Sequence, residues 1–332
     1  MNILNFKKRI SDLGRLRVIV GIIFEAGGAV FIERLKLKHL VPWKCRIHCF
    51  FNPPQSKNCL MRMTGEIETL SPDVLRLVLE KLGPTFIKLG QVLSLRADVV
   101  GEEISAELSK LQSNVPSFSY EEVRQIIIEE FKMSPEELFK SFENKPVAAA
   151  SLAQVHRAFL KDGTEVAVKI QRPNIKTIIE QDIHILFSLG YLAERFAPEI
   201  RSYQPVRVIK EFADWTLREL DFKVDGNNAE RFRFAFKDNH YINIPTIYWE
   251  LTTSRILTMD FIHGVKADDI AGIGKLDSDP KQLALAGLGA MFQQFLIDGF
   301  FHADPHPGNF FAMKDNMLCL HDFGMVGFLT PE

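Results

Sequence analysis

The sequence is poor in cysteine and in long uninterrupted apolar runs, and it has almost no excess of either charge. Four cysteines in 332 residues are too few for a disulfide scaffold, so a reducing compartment is the expected environment. The apolar segment 18–32 is broken by Glu25 and Gly27-Gly28, and 283–301 by two glutamines and Asp298. Neither segment is expected to span a membrane, and no signal peptide is expected, because no convincing cleavage site follows the first run.

Charge is unevenly distributed, although the formal net charge is only −2. Residues 1–62 carry twelve lysines and arginines but three acids, so the remainder of the chain is acidic. Residues 1–40 have the pattern of one or two amphipathic helices. Such helices either lie on an anionic membrane surface or present a solvated face. A nucleic-acid partner is not expected, because the basic residues lack interleaved aromatic side chains.

A cluster of metal-binding residue types follows these helices. It consists of Cys45, His48, Cys49 and Cys59. Their spacing fits no common structural zinc pattern, so a metal is not expected there. Residues 41–60, with three prolines, predict an irregular linker.

Helix signals dominate the chain as far as residue 145. Ser71 and Pro72 predict a helix start, and Gly83-Pro84 predicts its end at about Leu82, with a second helix from Pro84. Capping boxes predict two further helices, through Glu130 and Phe142; they are Ser119 with Glu122 and Ser134 with Glu137.

The pattern changes to strands after Lys145-Pro146. A β-prone run over 148–158, a Lys-Asp-Gly-Thr turn and a second run over 165–170 predict a hairpin that ends in Val-Ala-Val-Lys169. That motif is the one that carries the kinase lysine for the α/β-phosphates of ATP. Residues 241–260 alternate as strands, with 247–249 as one of them and 256–260 as a lobe-linking strand beside an adenine pocket. Gln282 to Phe300 predicts a long buried helix.

The strongest motif lies near the carboxyl end of the chain. Asn309 stands five residues after Asp304, and Asp322 follows eighteen residues after Asp304 in an Asp-Phe-Gly triplet. A kinase catalytic loop has the spacing D-x-x-x-x-N and then a metal-binding D-F-G. The pattern predicts that Asp304 orients or deprotonates the acceptor and that Asn309 and Asp322 bind Mg²⁺ beside ATP or ADP.

Two parts of a kinase site, the glycine-rich loop and the carboxylate partner of the lysine, do not follow directly from these motifs. The place of the glycine-rich loop is taken by Ala148-Ala149-Ala150-Ser151, and alanine resists positive φ and brings a Cβ towards the phosphates. The lysine also needs a carboxylate partner from a helix. Three acids are candidates, in order of preference Glu219, Asp225 and Glu180.

With these residues in place, the sequence resembles the UbiB (AarF-type) family of atypical kinase-like proteins. The resemblance covers about residue 70 onward and rests on motifs in the family's order: Lys88-x-Gly90-Gln91, Ala148-Ala149-Ala150-Ser151, Lys169, Glu219-x-Asp221, Asp304 to Asn309, and Asp322-Phe323-Gly324. It implies that the alanine-rich loop and Val155 contact nucleotide. It also implies that Lys88 and Gln91 lie over the nucleotide cleft and take part in its chemistry. Where the family usually has a glutamate, this chain has Asp225.

The resemblance implies an α+β, protein-kinase-like two-lobe fold with an N-terminal helical extension. The expected segments are 1–62 (basic helices and linker), 63–145 (helical extension), 146–262 (N-lobe) and 263–332 (start of the C-lobe). Since only eight residues follow Gly324, the C-lobe is expected to be incomplete, as in a fragment or truncated product.

The expected function is an ATP- and Mg²⁺-dependent atypical kinase or ATPase that supports ubiquinone or related isoprenoid-quinone biosynthesis. Its expected partners are an anionic membrane and quinone-biosynthesis proteins or lipid precursors. Its expected place is the cytoplasmic side of a membrane, as a peripheral protein of the bacterial inner membrane or of an organelle. One alternative is a catalytically silent nucleotide-binding module. Another is a metal hydrolase built on His302, Asp304, His306 and Asp322.

Overall fold

The computed structural model describes residues 3–42, 71–111 and 116–329. The chain divides into two compact units. The first comprises Met1–Val115 with Asn174–Asp214, and the second comprises Pro116–Pro173 with Trp215–Glu332. The domain boundaries at residues 62, 145 and 262 stay predictions. The cysteine–histidine cluster of residues 45–59 lies outside the described residues.

Helices and strands are both well represented, which confirms the predicted α+β class. The α-helices are α1 Ile3–Glu25, α2 Ala29–Arg34, α3 Pro72–Leu82, α4 Pro84–Ser94, α5 Ala97–Val100, α6 Glu102–Leu108, α7 Tyr120–Phe131, α8 Pro135–Leu138, α9 Ile175–Phe196, α10 Pro205–Glu219, α11 Phe222–Ala235, α12 Ile270–Lys275 and α13 Pro280–Gln293. The strands are β1 Ser141–Phe142, β2 Ala148–Ala149, β3 Ala153–Phe159, β4 Glu165–Gln171, β5 Ile242–Asn243, β6 Ile256–Asp260, β7 Val265–Lys266, β8 Phe300–His302, β9 Phe310–Ala312, β10 Leu318–Leu320 and β11 Val326–Phe328.

The first unit is built from helices whose ends agree with the sequence signals. Ser71 precedes α3 and Pro72 opens it, and Gly83 separates α3 from α4 at a φ of +97° that an L side chain rarely adopts. The Arg15 guanidinium joins three of these helices. It donates to Asp182 Oδ1 at 2.8 Å and to the Leu82 carbonyl at 2.6 Å. Because Asp182 is fully buried, this ion pair supplies the counter-charge that its burial requires.

The second unit contains an antiparallel sheet in the order β1-β3-β4-β6, with β2 also paired to β3. Side chains alternate across a strand, so Val166, Val168 and Ile170 of β4 all enter one fully buried apolar cluster. Helix α7 contributes Val123, Ile126 and Ile127 to that cluster. Lys169 lies between Val168 and Ile170 in the strand, so it belongs to the opposite face of the sheet. The alternation of the sequence therefore decides which face carries the lysine.

Three predicted elements are wrong in extent. The capping-box helix α8 ends at Leu138 rather than Phe142, because Ser141–Phe142 pair with β3 and Phe139 is buried as extended chain. The predicted strand 148–158 is two strands, β2 and β3, which pair with each other across the turn at 150–152. Residues 247–249 are not a strand either: Ile247 makes a single bridge to Met259, and a 3₁₀ turn follows at Trp249–Leu251.

The predicted long buried helix at 282–300 is shorter and more exposed. Helix α13 ends at Gln293, a π turn covers Gln294–Asp298, and Gly299 at φ +59° turns the chain into β8. Its buried residues are Leu283, Ala290 and Gln294, while Leu285, Leu288, Phe292, Leu296 and Ile297 are exposed. The expectation of burial is wrong because only one narrow face packs on the core. No helix in the described part of the chain is long and apolar enough to cross a membrane.

Two small sheets complete the second unit. One has the order β5-β10-β9-β7, and the other pairs β8 with β11. Around them lies an apolar core in which the Phe232 ring stacks on Phe300 at 4.5 Å and approaches Phe323 at 5.4 Å. This core includes Phe300 of β8 and Leu320 of β10, and it therefore anchors the strands from which the following loops extend.

Candidate active site

Strand β4 and helix α11 bring a lysine and an acid together. Lys169 Nζ donates to Asp225 Oδ2 at 2.9 Å, and the two side chains are 17% and 5% exposed. Asp322 Oδ1 lies 3.8 Å from the same ammonium. Asp225 Oδ1 is buried and has no hydrogen-bond partner among the described residues. The cluster therefore consists of one ammonium group near two carboxylates, and Asp225 Oδ1 is a buried acceptor whose hydrogen-bonding capacity is unused among the described residues.

Neighbouring carboxylates favour the charged form of Lys169. Burial alone lowers the pKa of Lys169, but attraction by Asp225 and Asp322 outweighs it, so the net shift of that pKa is upward. Burial raises the pKa of Asp225; the Lys169 ammonium opposes the rise and the Asp322 carboxylate adds to it. Removal of the ammonium would thus leave two neighbouring carboxylates without their shared counter-charge.

Of the three acids considered as partners of the lysine, Asp225 is the one that the structure pairs with it. The preference for Glu219 is wrong, because α10 ends at Glu219 and the chain turns before α11 begins at Phe222. The turn places Asp225 in the first turn of the new helix, where it faces β4. Glu219 still contributes to the raised pKa of Lys169. Glu180 lies on α9, in the first unit.

The loop after β8 holds the predicted base. Asn309 Nδ2 donates to the Asp304 carbonyl at 3.0 Å and to Asp304 Oδ2 at 3.1 Å. The D-x-x-x-x-N spacing therefore folds into a closed loop in which the amide fixes the carboxylate. Since Nδ2 is committed to Asp304, Oδ1 is the atom of this amide that remains to accept a metal ion.

A buried histidine connects the loop of Asp304 with the Asp-Phe-Gly segment. His302 Nδ1 accepts the Asp304 N–H at 3.2 Å, and His302 Nε2 lies 2.8 Å from the Asp322 carbonyl. Because one nitrogen accepts and the other faces an acceptor, the hydrogen-bond pattern assigns the neutral tautomer with its proton on Nε2. The His302 N–H itself donates to Gln294 Oε1 at 2.8 Å. The backbones of Asp304 and Asp322 therefore both contact the His302 ring.

The Asp-Phe-Gly segment is tightly surrounded. Asp322 has a φ of +63°, in the left-handed region that few non-glycine residues adopt. A Cβ added to Gly324 would lie 3.3 Å from Glu219 Cγ and 3.4 Å from Asp322 Oδ1, so the glycine allows the acidic side chains to approach. Phe323 is buried beside Phe232. The segment thus combines a strained backbone with a half-exposed carboxylate.

The alanine-rich loop is a tight hairpin turn between β2 and β3. The Ala150 N–H donates to the Ala153 carbonyl at 2.8 Å, and the φ values of residues 148–153 are all outside the positive region. Alanine is therefore sterically compatible with this turn, and glycine is not required for it. Ala148 pairs with Val155, and Val155 pairs with Lys169, so the three form one row across the sheet. The row places Val155 beside the lysine.

Arg172 holds this turn from the end of β4. Its Nε donates to the Ala150 carbonyl at 3.1 Å, and its Nη2 donates to the Pro116 carbonyl at 2.7 Å. Its own N–H donates to the Leu152 carbonyl at 2.8 Å. Sequence reasoning missed Arg172, which no motif marks. It named His302 only as a ligand of the alternative metal hydrolase, although His302 stands two residues before Asp304, where a kinase loop has its histidine.

Lys88 and Gln91 lie on α4, in the first unit. Gln91 Nε2 donates to the Leu111 carbonyl at 3.2 Å. Lys88 and Gly90 lie on the same helix, and a Cβ at Gly90 would meet the Leu79 and Leu111 side chains. The close packing explains the glycine of this motif. The assignment of Lys88 and Gln91 to the nucleotide cleft stays a prediction.

The donor set suits Mg²⁺ better than a transition metal. Mg²⁺ is usually held by one or two carboxylates together with phosphate oxygens and water, and Asp322 with Asn309 Oδ1 would supply such a set. No group of three or more histidine, cysteine or acidic residues in the described part of the chain could hold a metal by itself. The hydrolase alternative also loses His302, since both of its ring nitrogens contact the backbone.

Comparisons with known proteins point to one family of kinase-like proteins. The ABC1 atypical kinase-like domain family matches residues 110–332. The Probable protein kinase UbiB of Pseudomonas fluorescens is 41% identical over 262 residues, which are 78% of this chain and 49% of that protein. Protein ACTIVITY OF BC1 COMPLEX KINASE 8, chloroplastic, of Arabidopsis thaliana is 39% identical over 279 residues, which are 81% of this chain and 36% of that protein. The solved complex of Rv3197 with erythromycin from Mycobacterium tuberculosis has a TM-score of 0.52 at 27% identity, and the match covers 76% of this chain and 63% of that one.

The fold and the paired loops place this chain in the class of kinase-like proteins. Within that class it belongs to the UbiB family of ABC1 atypical kinase-like proteins, as its motifs predicted. The chain spans about half the length of the UbiB relatives that it matches.

Proposed function

We propose that this chain binds ATP with Mg²⁺ and acts as an atypical kinase or ATPase. The observation that carries the proposal is the Lys169 cluster, in which a charged lysine lies 2.9 Å from Asp225 and 3.8 Å from Asp322. A lysine held between a helix acid and a D-F-G acid is the arrangement by which kinases bind the phosphates of ATP. Membership of a kinase-like family supports the use of a nucleotide and a metal in general.

In this mechanism Lys169 binds the α/β-phosphates while Asp225 holds its ammonium in place. Asp322 and Asn309 would hold Mg²⁺, which neutralises charge on the phosphate oxygens when bound. Asp304, fixed by Asn309, accepts the proton of the attacking hydroxyl or water. The segment after β6, residues 261–264, would offer backbone groups to the adenine base, and Val155 would line the site beside Lys169.

A catalytically silent nucleotide-binding module is the second candidate. One specific observation favours it: the alanine turn is closed by Ala150–Ala153 and by Arg172, so three alanine side chains replace the glycines that cover phosphates in kinases. Such a turn admits nucleotide at the lysine but restricts the movement of the loop over the γ-phosphate. Binding without turnover would fit this geometry.

One experiment separates the two candidates. We expect isothermal titration to show binding of ATP in the presence of Mg²⁺, and steady-state ATP hydrolysis by the unaltered chain to exceed that of Asp304→Asn by about 100-fold or more. Lys169→Met serves as the control for loss of binding. Equal hydrolysis by the unaltered chain and Asp304→Asn, with binding intact in both, would establish the silent module. Absence of nucleotide binding would reject both candidates.

We further propose that the activity supports ubiquinone or related isoprenoid-quinone biosynthesis on a membrane surface. The support is family membership together with relatives named UbiB and a relative named chloroplastic. The bacterial inner membrane is the preferred place and an organelle the alternative, with quinone-pathway proteins or lipid precursors as partners. Vesicle flotation tests the membrane part: charge reversal of Lys7, Lys8 and Arg9 is expected to reduce binding to phosphatidylglycerol vesicles, and unchanged binding would contradict it.

A further inference from the structure

Helix α11 contacts the Asp-Phe-Gly segment through a residue that none of the motifs includes. Asn228 Nδ2 donates to the main-chain oxygen of Phe323 at 2.9 Å. Asn228 lies three residues after Asp225 and four before Phe232, so the three share one stripe of the helix. Asp225 contacts Lys169, Asn228 contacts the Phe323 carbonyl, and Phe232 packs on the Phe323 ring. One helix face thus holds both the lysine and the segment that carries Asp322.

The backbone that Asn228 contacts needs support. Asp322 is left-handed at φ +63°, a conformation that persists in a non-glycine residue only where its surroundings enforce it. His302 engages the Asp322 carbonyl at 2.8 Å. Asn228 engages the next carbonyl, that of Phe323, at 2.9 Å. Without one of the two, the Asp322–Phe323 peptide gains freedom to relax towards ordinary φ values, and the Asp322 carboxylate moves with it.

We propose that Asn228 is a positioning residue that fixes Asp322 in the conformation that binds Mg²⁺, and that α11 thereby couples the metal ligand to Lys169. The inference rests on the proposed binding of ATP with Mg²⁺. Because Asn228 and Asp225 lie on one rigid helix, a displacement of α11 away from β4 breaks both contacts together. The phosphate-binding lysine and the metal ligand are therefore assembled or released as one set.

The chain offers a matched control for this inference. Asn227 is the neighbouring residue on the same helix and is exposed, whereas Asn228 is partly buried against Phe323. Asn228→Leu removes the amide donor without adding charge, and Asn227→Leu makes the same chemical change where no hydrogen bond to Phe323 exists. The readout is ATP affinity by isothermal titration, measured once in excess EDTA and once in Mg²⁺.

We expect Mg²⁺ to increase the ATP affinity of the unaltered chain and of Asn227→Leu, and the two factors of increase are expected to agree within twofold. For Asn228→Leu the strengthening is expected to fall by about tenfold, while the affinity in EDTA stays within twofold. A purely structural role would lower both affinities together or neither, and either result would overturn the inference. If Asn228→Leu does not fold, Asn228→Ala removes the same donor in a smaller side chain and is judged by the same two affinities.

The same experiment separates this inference from the function on which it rests. If the unaltered chain binds no ATP in Mg²⁺, the proposed function fails before any variant is compared. If it binds ATP and Mg²⁺ strengthens that binding, but Asn228→Leu behaves like Asn227→Leu, the function stands and the positioning role is wrong.

Discussion

The turn at residues 150–152 and the segment Asp322–Gly324 both belong to the candidate site around Lys169, but only the second contains a non-glycine residue with a positive φ. In kinases the phosphate loop is the glycine-rich part, yet here residues 148–153 are alanine-rich and free of positive φ. The Asp-Phe-Gly segment instead has a non-glycine residue, Asp322, at φ +63°. Conformational strain therefore lies at Asp322, the proposed metal ligand, while the alanine-rich turn is an unstrained hairpin. Four predictions test this contrast.

The largest effect on stability is expected at Lys169. Lys169→Met leaves the buried Asp225 next to Asp322 without a counter-charge, which is expected to lower the free energy of unfolding by about 3–5 kcal/mol. Urea denaturation at pH 7 measures it. The exposed pair Arg207–Glu211 provides the control, because Arg207→Met is expected to cost less than about 1 kcal/mol. Similar losses in both variants would show that the lysine cluster is not a buried ion pair.

The second effect concerns the strain at Asp322. Glycine accepts φ +63° at no steric cost, whereas alanine does not, so Asp322→Gly is expected to be more stable than Asp322→Ala by about 1–2 kcal/mol. Both variants lack the carboxylate, so the difference isolates the backbone. Denaturation without nucleotide or Mg²⁺ measures it. Equal stabilities would mean that residue 322 relaxes out of the left-handed region in solution.

The third prediction is that glycine lowers the free energy of unfolding at position 150, whereas it is the better-tolerated residue at position 322. Comparison of the two glycine substitutions is therefore the sharpest test of the contrast. At Ala150 the backbone needs no left-handed conformation, so Ala150→Gly only adds freedom to the unfolded chain and is expected to destabilise by about 0.5–1 kcal/mol. The same denaturation measurement applies. A stabilising Ala150→Gly substitution would indicate hidden strain in the alanine turn and would remove the contrast with Asp322.

The sequence predicted those parts of the site that depend on local spacing. The Asp-Gly turn and the alternation of β4 set the face of Lys169, and the five-residue interval from Asp304 to Asn309 closes the loop after β8. Parts fixed by tertiary contacts were not predictable in this way. The choice of Asp225 over Glu219 depends on a helix break at residues 220–221, and helix α8 stops early because Ser141–Phe142 find a strand partner. Asn228 carries no sequence signal, since an asparagine on a helix is usually solvated.

The smallest effect is a pH dependence on the alanine-turn side of the contrast. His156 on β3 is fully buried, its Nδ1 donates to the Glu143 carbonyl at 2.7 Å, and its Nε2 accepts from Gln154 Nε2 at 2.9 Å. Burial lowers the pKa of His156 in the folded chain. The unfolded chain therefore binds a proton first, near pH 6.5, and the free energy of unfolding falls as pH drops through that value.

One such group is expected to contribute about 0.5 kcal/mol of the stability lost between pH 7 and pH 6. The contribution is removed in His156→Gln, which cannot titrate, and retained in His240→Gln, which changes an exposed histidine. Gln154 also accepts from the Phe118 N–H and donates to the Phe118 carbonyl. Protonation of His156 Nε2 would place a second donor against the Gln154 amide N–H, so it is expected to weaken these two hydrogen bonds as well. A pH slope that is identical in the unaltered chain and in His156→Gln would show that this histidine is not held neutral by the fold.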